Sequence, residues 1–284
     1  IQKDAPVIGE KNNILFSVEI NKGNIDEGFK EAKFISVNTY KTQMTEHAFM
    51  QPESTIANYN AINNTLDLYI ATQYPHYDRE EVARCLNMKE ENINVINMTI
   101  GGAFGAREDI NPQCHAAIAS YITKRPVKII YSREESTISH SKRHLMKMYY
   151  KTAVKSNGRL CALKARIYAD TGAYASWGIN VIRKAAVHAT GPYEIPNVDI
   201  KAYAVYTNNP FCGAMRGFGA AQVPIAYESQ MDILSEKLNI NPLVFRNINT
   251  FQCGSKTATG QILDKSVGIK ECISKLASID NIEL

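Results

Sequence analysis

The sequence is 284 residues long, 45% hydrophobic and 21% charged, enough to bury the core of one large domain or two small ones. Its net charge of +4 is spread without a block of like charges, which argues against nucleic acid as a partner. No charge-free apolar run approaches the roughly 18 residues of a membrane span and Ile1 opens no signal peptide, so the expected setting is the cytoplasm with no membrane contact.

In chain order, "ILFSVEI" (14–20) predicts a strand. "NIDEGFKEA" (24–32) predicts a short helix with Asn24 or Asp26 near its N-cap, and "AKFISVNTY" another strand. "NTLDLYIATQYPH" (64–76) predicts a strand ending at Pro75. "DREEVARCLN" (78–87) predicts a helix whose first-turn acids suit the positive end of the macrodipole. The β-rich "NINVINMTI" (92–100) runs into a glycine loop, "IGGAFGAREDI", which leads to a helix over 111–126 closed by Pro126 and a strand "VKIIYSREE". Alternation from Met146 to Val154, the turn "SNG" (156–158) and a return from Leu160 to Asp170 predict a hairpin. Strand "VDIKAYAVYTN" (198–208) enters a second glycine loop, "GAMRGFGAAQ". A long helix follows from Ala220 to Leu238, with Val223, Tyr227, Met231, Leu234 and Leu238 at helical spacing. Strands and helices mix without strict alternation, which favours an α+β, mixed-sheet fold over a doubly wound one.

Six cysteines stand apart with no C-x-x-C, so a zinc ribbon or an iron–sulfur cluster does not fit, and reduced thiols acting as small apolar residues are expected. The six histidines show no metal-ligand spacing and are assigned structural roles.

Both loops join a strand to a helix, and each carries a small-residue–Phe–Gly core with an Arg nearby. Glycine permits positive φ and lets backbone amides approach an anion or oxo group. One such loop is ordinarily a tight turn whose Phe plugs the core, whereas two in one chain suggest two walls of one bound group. Neither is a P-loop or a dinucleotide fingerprint.

The stretches "IGGAFGARED", "TKRPVKIIYSREES", "HATGPYEIPNVDI", "YTNNPFCGAMRGFGAAQ" and "ESQMDILSEKLNINPLVFRNIN" together resemble the molybdenum-binding region of the xanthine dehydrogenase and aldehyde oxidase family of molybdenum hydroxylases. The resemblance implies that 1–284 is the first half of that α+β molybdopterin-binding region, with 1–13 a linker from a preceding domain. It implies a molybdopterin cofactor, in bacteria usually the cytosine dinucleotide form, whose molybdenum carries a sulfido or selenido ligand. It also implies hydroxylation of a small-molecule substrate with water-derived oxygen, and electrons leaving through iron–sulfur and FAD centres on partner subunits.

Residue by residue, the family pattern assigns Phe104, with Gly102 and Gly105, and Arg216, with Gly217 and Gly219, to cofactor loops whose backbone at Phe104 and Arg216 lies near the molybdenum ligands. It assigns Glu108 and Phe218 to orienting and stacking the substrate. Thr45 stands where a Gln usually bonds the oxo ligand; its hydroxyl, or another side chain such as Gln73, would make that contact. Lys184, with Arg183 beside it, stands where xanthine enzymes carry a substrate-binding Arg, which suits an anionic substrate. The family's catalytic Glu has no counterpart, so the resemblance places the base on the second half of the region, either in a cut-off continuation of this chain or in a second molybdopterin subunit. Such a split is a feature of the nicotinate dehydrogenase type. An N-heterocycle such as nicotinate is therefore the favoured substrate, with xanthine or an aldehyde as the alternative and a non-catalytic assembly subunit as the reading of another class.

Overall fold

The computed structural model describes residues 5–8, 12–279 and 282–283, so the expected linker 1–13 lies partly outside the described residues. Strand β1 (Ile14–Lys22), helix α1 (Ile25–Lys30) and strand β2 (Phe34–Lys41) follow in the predicted order. The Asn24 side chain caps α1 by accepting from the N–H groups of Asp26 and Glu27. Strand β3 (Ser54–Asn60) is an addition to the predicted set, and β4 (Thr65–Ile70) stops short of Pro75. Pro75 does not end a strand; it opens α2 (Pro75–Leu86), where its missing N–H costs nothing in the first turn. After β5 (Ile93–Asn97) and the first glycine loop come α3 (Gln113–Thr123) and β6 (Val127–Ile130). "SREE" is not strand but the start of α4 (Arg133–Ser139), because Ser132 and Glu135 form a reciprocal capping box. The predicted hairpin is β7 (Met146–Val154) and β8 (Leu160–Gly172). Then come α5 (Gly178–Val187), β9 (Asn197–Tyr206), α6 (Pro224–Leu238), α7 (Pro242–Asn249) and α8 (Ile269–Ile279). Helix α6 starts four residues later than expected, because the glycine loop holds 217–223 in turns.

The chain divides into two compact units. The first comprises Ile1–Gln43, His144–Asn209 and Gly217–Leu284. Its five-stranded sheet has the order β1-β9-β8-β7-β2, with β8 and β9 parallel and the other neighbours antiparallel. Helices α5 and α6 cover one face, where Met148, Ile167, Ile182, Ile200, Met231 and Leu234 are fully buried. On the other, Ile25 and Phe29 of α1 pack against Ala153, Cys161 and Ala162. The Arg246 guanidinium ties α7 to α6 by reaching the carboxylates of Glu228 and Asp232, each at 2.8 Å.

The second unit comprises Met44–Arg143 and Pro210–Arg216. Its four-stranded sheet has the order β5-β4-β3-β6, again mixed, with β4 and β5 parallel. Leu66, Leu68, Val82, Ala116 and Ala117 are buried between this sheet and helices α2 and α3. Each leucine so buried contributes about 1.5–3 kcal/mol. Among the described residues no helix is long and apolar enough to cross a membrane.

Asp78 of α2 sits inside this unit, 1% exposed, with Oδ1 accepting from the Gln113 amide at 3.1 Å. Burial pushes its carboxyl up from 3.8 to about 6, against the pull of hydrogen bonds from Thr72 and Gln113. The native state therefore holds a proton that the unfolded chain releases, and stability falls as pH rises between these two values. Acidification from pH 7 to 5 is expected to raise the unfolding free energy by about 1–2 kcal/mol, and Asp78→Asn to abolish that gain. A denaturant series at the two pH values checks this; a gain surviving in the Asn variant would assign it elsewhere.

Candidate cofactor site at the two glycine loops

The first loop leaves β5 with Gly102, Phe104 and Gly105 at φ of +101°, +55° and +99°. A non-glycine residue in this left-handed region costs about 1–2 kcal/mol, so Phe104 is held there by its surroundings. Its ring is 48% exposed and plugs no core. The strip Pro210–Arg216 lies against the loop. The Arg216 N–H donates to the Phe104 carbonyl at 2.8 Å, and a Cβ on Gly105 would come within 2.8 Å of the Ala214 carbonyl oxygen. The strip that opens the second glycine loop thus meets the first loop, backbone to backbone.

Buried groups hold this junction; of these the sequence marked only Arg107, as the first loop's arginine, without its partners. Arg107, 5% exposed, donates to the carbonyls of Gly102, Ala71 and Gln51, and its guanidinium lies 4.7 Å above the Phe49 ring. Gln51 exchanges bonds with Gly101, donating from its own N–H and accepting at Oε1. The buried His47 ring donates from Nε2 to the Ala214 carbonyl at 2.7 Å, and burial pushes its pKa down from 6.5 to about 4, which keeps it neutral. His140 sits edge-on to it and pairs with the buried Glu53 at 3.2 Å. Glu46, His47 and His140 bring ligand-type atoms within 4.8 Å of one another, but the Lys142 ammonium already stands 2.6 Å from the Glu46 carboxylate. That ion pair neutralises the Glu46 carboxylate.

Gln73, on the link between β4 and α2, turns its amide to the loop: Oε1 accepts from the Gly105 N–H at 3.0 Å and Nε2 donates to Glu108 at 3.4 Å. Glu108 is half-buried, and desolvation followed by the neighbouring Asp109 charge pushes its carboxyl above the usual range. Thr45 is exposed, and its carbonyl accepts from the Arg143 N–H. Gln73 is exposed as well, with its side chain bonded to the first loop.

Between Arg216 and Gly217 the chain passes into the other unit. There Gly217, Phe218 and Gly219 take φ of +93°, +49° and +96°, left-handed as in the first loop. Gly219 abuts α5, where a Cβ would lie 2.1 Å from the Val181 carbonyl oxygen. The Phe218 ring is half-buried against the large core, 6.2 Å from Trp177. Arg183 and Lys184 are exposed on α5, with Arg183 4.5 Å above the Phe16 ring.

Residues 8–250 match the molybdopterin cofactor-binding domain family. The chain belongs to that family. It is 42% identical, over 97% of its length, to the nicotinate dehydrogenase large molybdopterin subunit of Eubacterium barkeri, and covers 64% of it. It is 36% identical, over 88% of its length, to a probable xanthine dehydrogenase subunit of Bacillus subtilis, covering 33% of that protein. The chain thus spans less than two-thirds of these relatives. The aldehyde oxidoreductase of Desulfovibrio gigas shares its fold, with a TM-score of 0.92 at 25% identity over 98% of this chain and 31% of that one. The α+β, mixed-sheet fold and the molybdenum hydroxylase family are those expected from the sequence.

The loops fit such a cofactor. Among the described residues, the N–H groups of Gly102, Ala103 and Phe104 have no protein acceptor, and neither do those of Gly217, Phe218 and Gly219. Each loop, taken by itself, presents unclaimed amides on a left-handed backbone of the kind that suits oxo or phosphate-type oxygens.

Proposed function

We propose that this chain supplies the first half of the molybdopterin site of a molybdenum hydroxylase acting on an aromatic N-heterocycle, with nicotinate favoured. The observation that supports the reading is the Arg216-to-Phe104 hydrogen bond, which holds the strip 210–216 against a left-handed loop with unclaimed amides. When bound, the cofactor supplies the two-electron oxygen-transfer chemistry.

The chain's own residues do the holding. The loop amides receive ligand oxygens, while the Gln73 amide, oriented by Gly105 and Glu108, offers a donor beside them. A Glu108 carboxyl with a raised pKa can donate a hydrogen bond to a ring nitrogen when protonated, or accept one when ionised. Lys184 with Arg183 offers positive charge to a substrate carboxylate. In this reading the cofactor is the cytosine dinucleotide form. The base comes from the second half of the molybdopterin region or from a partner subunit, iron–sulfur and FAD subunits carry the electrons away, and the assembly works in the cytoplasm. The 42% identity to a nicotinate dehydrogenase subunit supports this choice over xanthine or an aldehyde.

The test is metal analysis of the intact native complex alongside turnover of nicotinate, xanthine and an aldehyde. Molybdenum with preferential nicotinate turnover is expected; molybdenum with another preference overturns the substrate, and an active complex without molybdenum overturns the reading. In the same assay, Lys184→Met is expected to lower kcat/KM for nicotinate on the order of tenfold while sparing a neutral aldehyde. Equal losses on both would remove the anion-binding role.

A further inference from the structure

We propose that the open face of the first unit's sheet carries a binding site for a small planar aromatic anion, whether or not the cofactor reading holds. Helices α5 and α6 cover one face of this sheet, and on the other α1 packs at Ala153 and Ala162. Beyond α1, that second face holds a hollow of about 720 Å³, lined in part by Lys147, Tyr149 and Tyr168. Its volume is that of a small-ligand site. Pro6 and Ile8 form another side of it. They are held by the buried Asn13, whose Oδ1 accepts from the Ile8 N–H at 2.6 Å and whose amide donates to the Pro6 carbonyl at 2.9 Å.

The strand register sets what faces this hollow. Lys41, Lys147, Tyr168 and Tyr203 stand opposite one another in a single row across β2, β7, β8 and β9, and directly opposed residues share a face. Tyr168 and Tyr203 stack, with ring centres 5.3 Å apart and planes 14° from parallel, and Tyr149 sits edge-on to Tyr168 at 6.1 Å. The rings brace one another, and Tyr168, 40% exposed, keeps area free for a further ring.

Like charges directly opposite each other destabilise a sheet. Elsewhere on this face the lysines are matched: Lys164 pairs with Asp199 and Lys201 with Glu19, while Lys151 lies 4.1 Å above the Phe29 ring. Lys41 and Lys147 oppose each other, and among the described residues no carboxylate forms an ion pair with either. The Lys147 ammonium lies 5.0 Å above the Tyr149 ring instead. Asp170 also lines the hollow, but its carboxylate accepts from the Gly172 N–H, the Thr207 hydroxyl and the Asn209 amide, so its charge is engaged. A bound anion would offset the repulsion between the two lysines while an attached ring lay against the tyrosines. Both demands are met by one planar aromatic anion.

The test is equilibrium dialysis of the intact protein against naphthoate and its neutral isostere naphthamide. Saturable binding of naphthoate is expected, with the amide weaker on the order of tenfold. Lys147→Gln should reduce naphthoate binding by a similar factor and that of the amide far less, and Tyr168→Leu should weaken both. Lys201→Gln, which removes a matched lysine from the same face, should change neither. Equal affinity for acid and amide, equal losses in Lys147→Gln and Lys201→Gln, or no saturable naphthoate binding overturns the proposal. None of these readouts depends on molybdenum or turnover.

Discussion

Gly219→Ala is expected to lower the melting temperature by roughly 6–12 °C. The new Cβ would lie 2.1 Å from the Val181 carbonyl oxygen and 2.9 Å from the Ala185 nitrogen, at a φ of +96°. Helix backbone cannot yield as a side chain would. Overpacking and left-handed strain together cost about 3 kcal/mol or more, and each kcal/mol is worth roughly 2–4 °C in a chain of this size. Gly254→Ala separates the two causes: its φ is +89°, but nothing lies within 4 Å of its Cβ. That variant should lose only the strain, about 1–2 kcal/mol. Calorimetry on both checks this, and equal losses would mean that the second glycine loop does not rest on α5 as described.

Arg107→Met should be the most damaging single change in the second unit. Three carbonyls, of Gly102, Ala71 and Gln51, lose a charged donor, and the replacement has none to offer. Hydrogen bonds to charged groups are worth about 1.5–3 kcal/mol each, and breaking a buried charged network costs about 3–5 kcal/mol in all. Arg107→Lys should recover less than half of that, since an ammonium cannot span three acceptors lying in different directions. Arg84 is the control: its bonds to Glu80 and Glu81 are exposed, and Arg84→Met should cost under about 1 kcal/mol. Denaturant unfolding measures all three. Molybdenum retained in full by a folded Arg107→Met protein would separate the arginine from the cofactor.

The hairpin, both loops and most strands were legible because their signals are local: alternation, a turn with Gly158, and glycines between a strand and a helix. Strand β3 was not. It turns Thr55 and Ala57 inward and Ile56 outward, which inverts the usual pattern. Pro75 misled because a proline that ends a strand and one that opens a helix are the same residue; what decides is that Asp78 and the residues after it can form a turn. At the site, the glycines and Phe104 were visible as motif, and Gln73 only as an alternative to Thr45. Arg107 was visible only as the arginine beside the first loop, without its partners, and His47 only as one of six histidines. An arginine among small residues reads as solvent-facing, and nothing nearby in sequence shows that carbonyls from Ala71 and Gln51 converge on it.

The division of the chain between its units has a consequence for biosynthesis. The second unit's sheet and helices are complete by Arg143, whereas the first unit's sheet cannot close until β9 has emerged, since β1 pairs only with it. The strip 210–216, which bonds Phe104 and receives His47, emerges after β9. On a ribosome adding residues from the N-terminus, the loop junction is thus the last part of the second unit to become available. The second unit is therefore a discontinuous piece of chain whose last seven residues reach it only after most of the first unit's sheet has been synthesised.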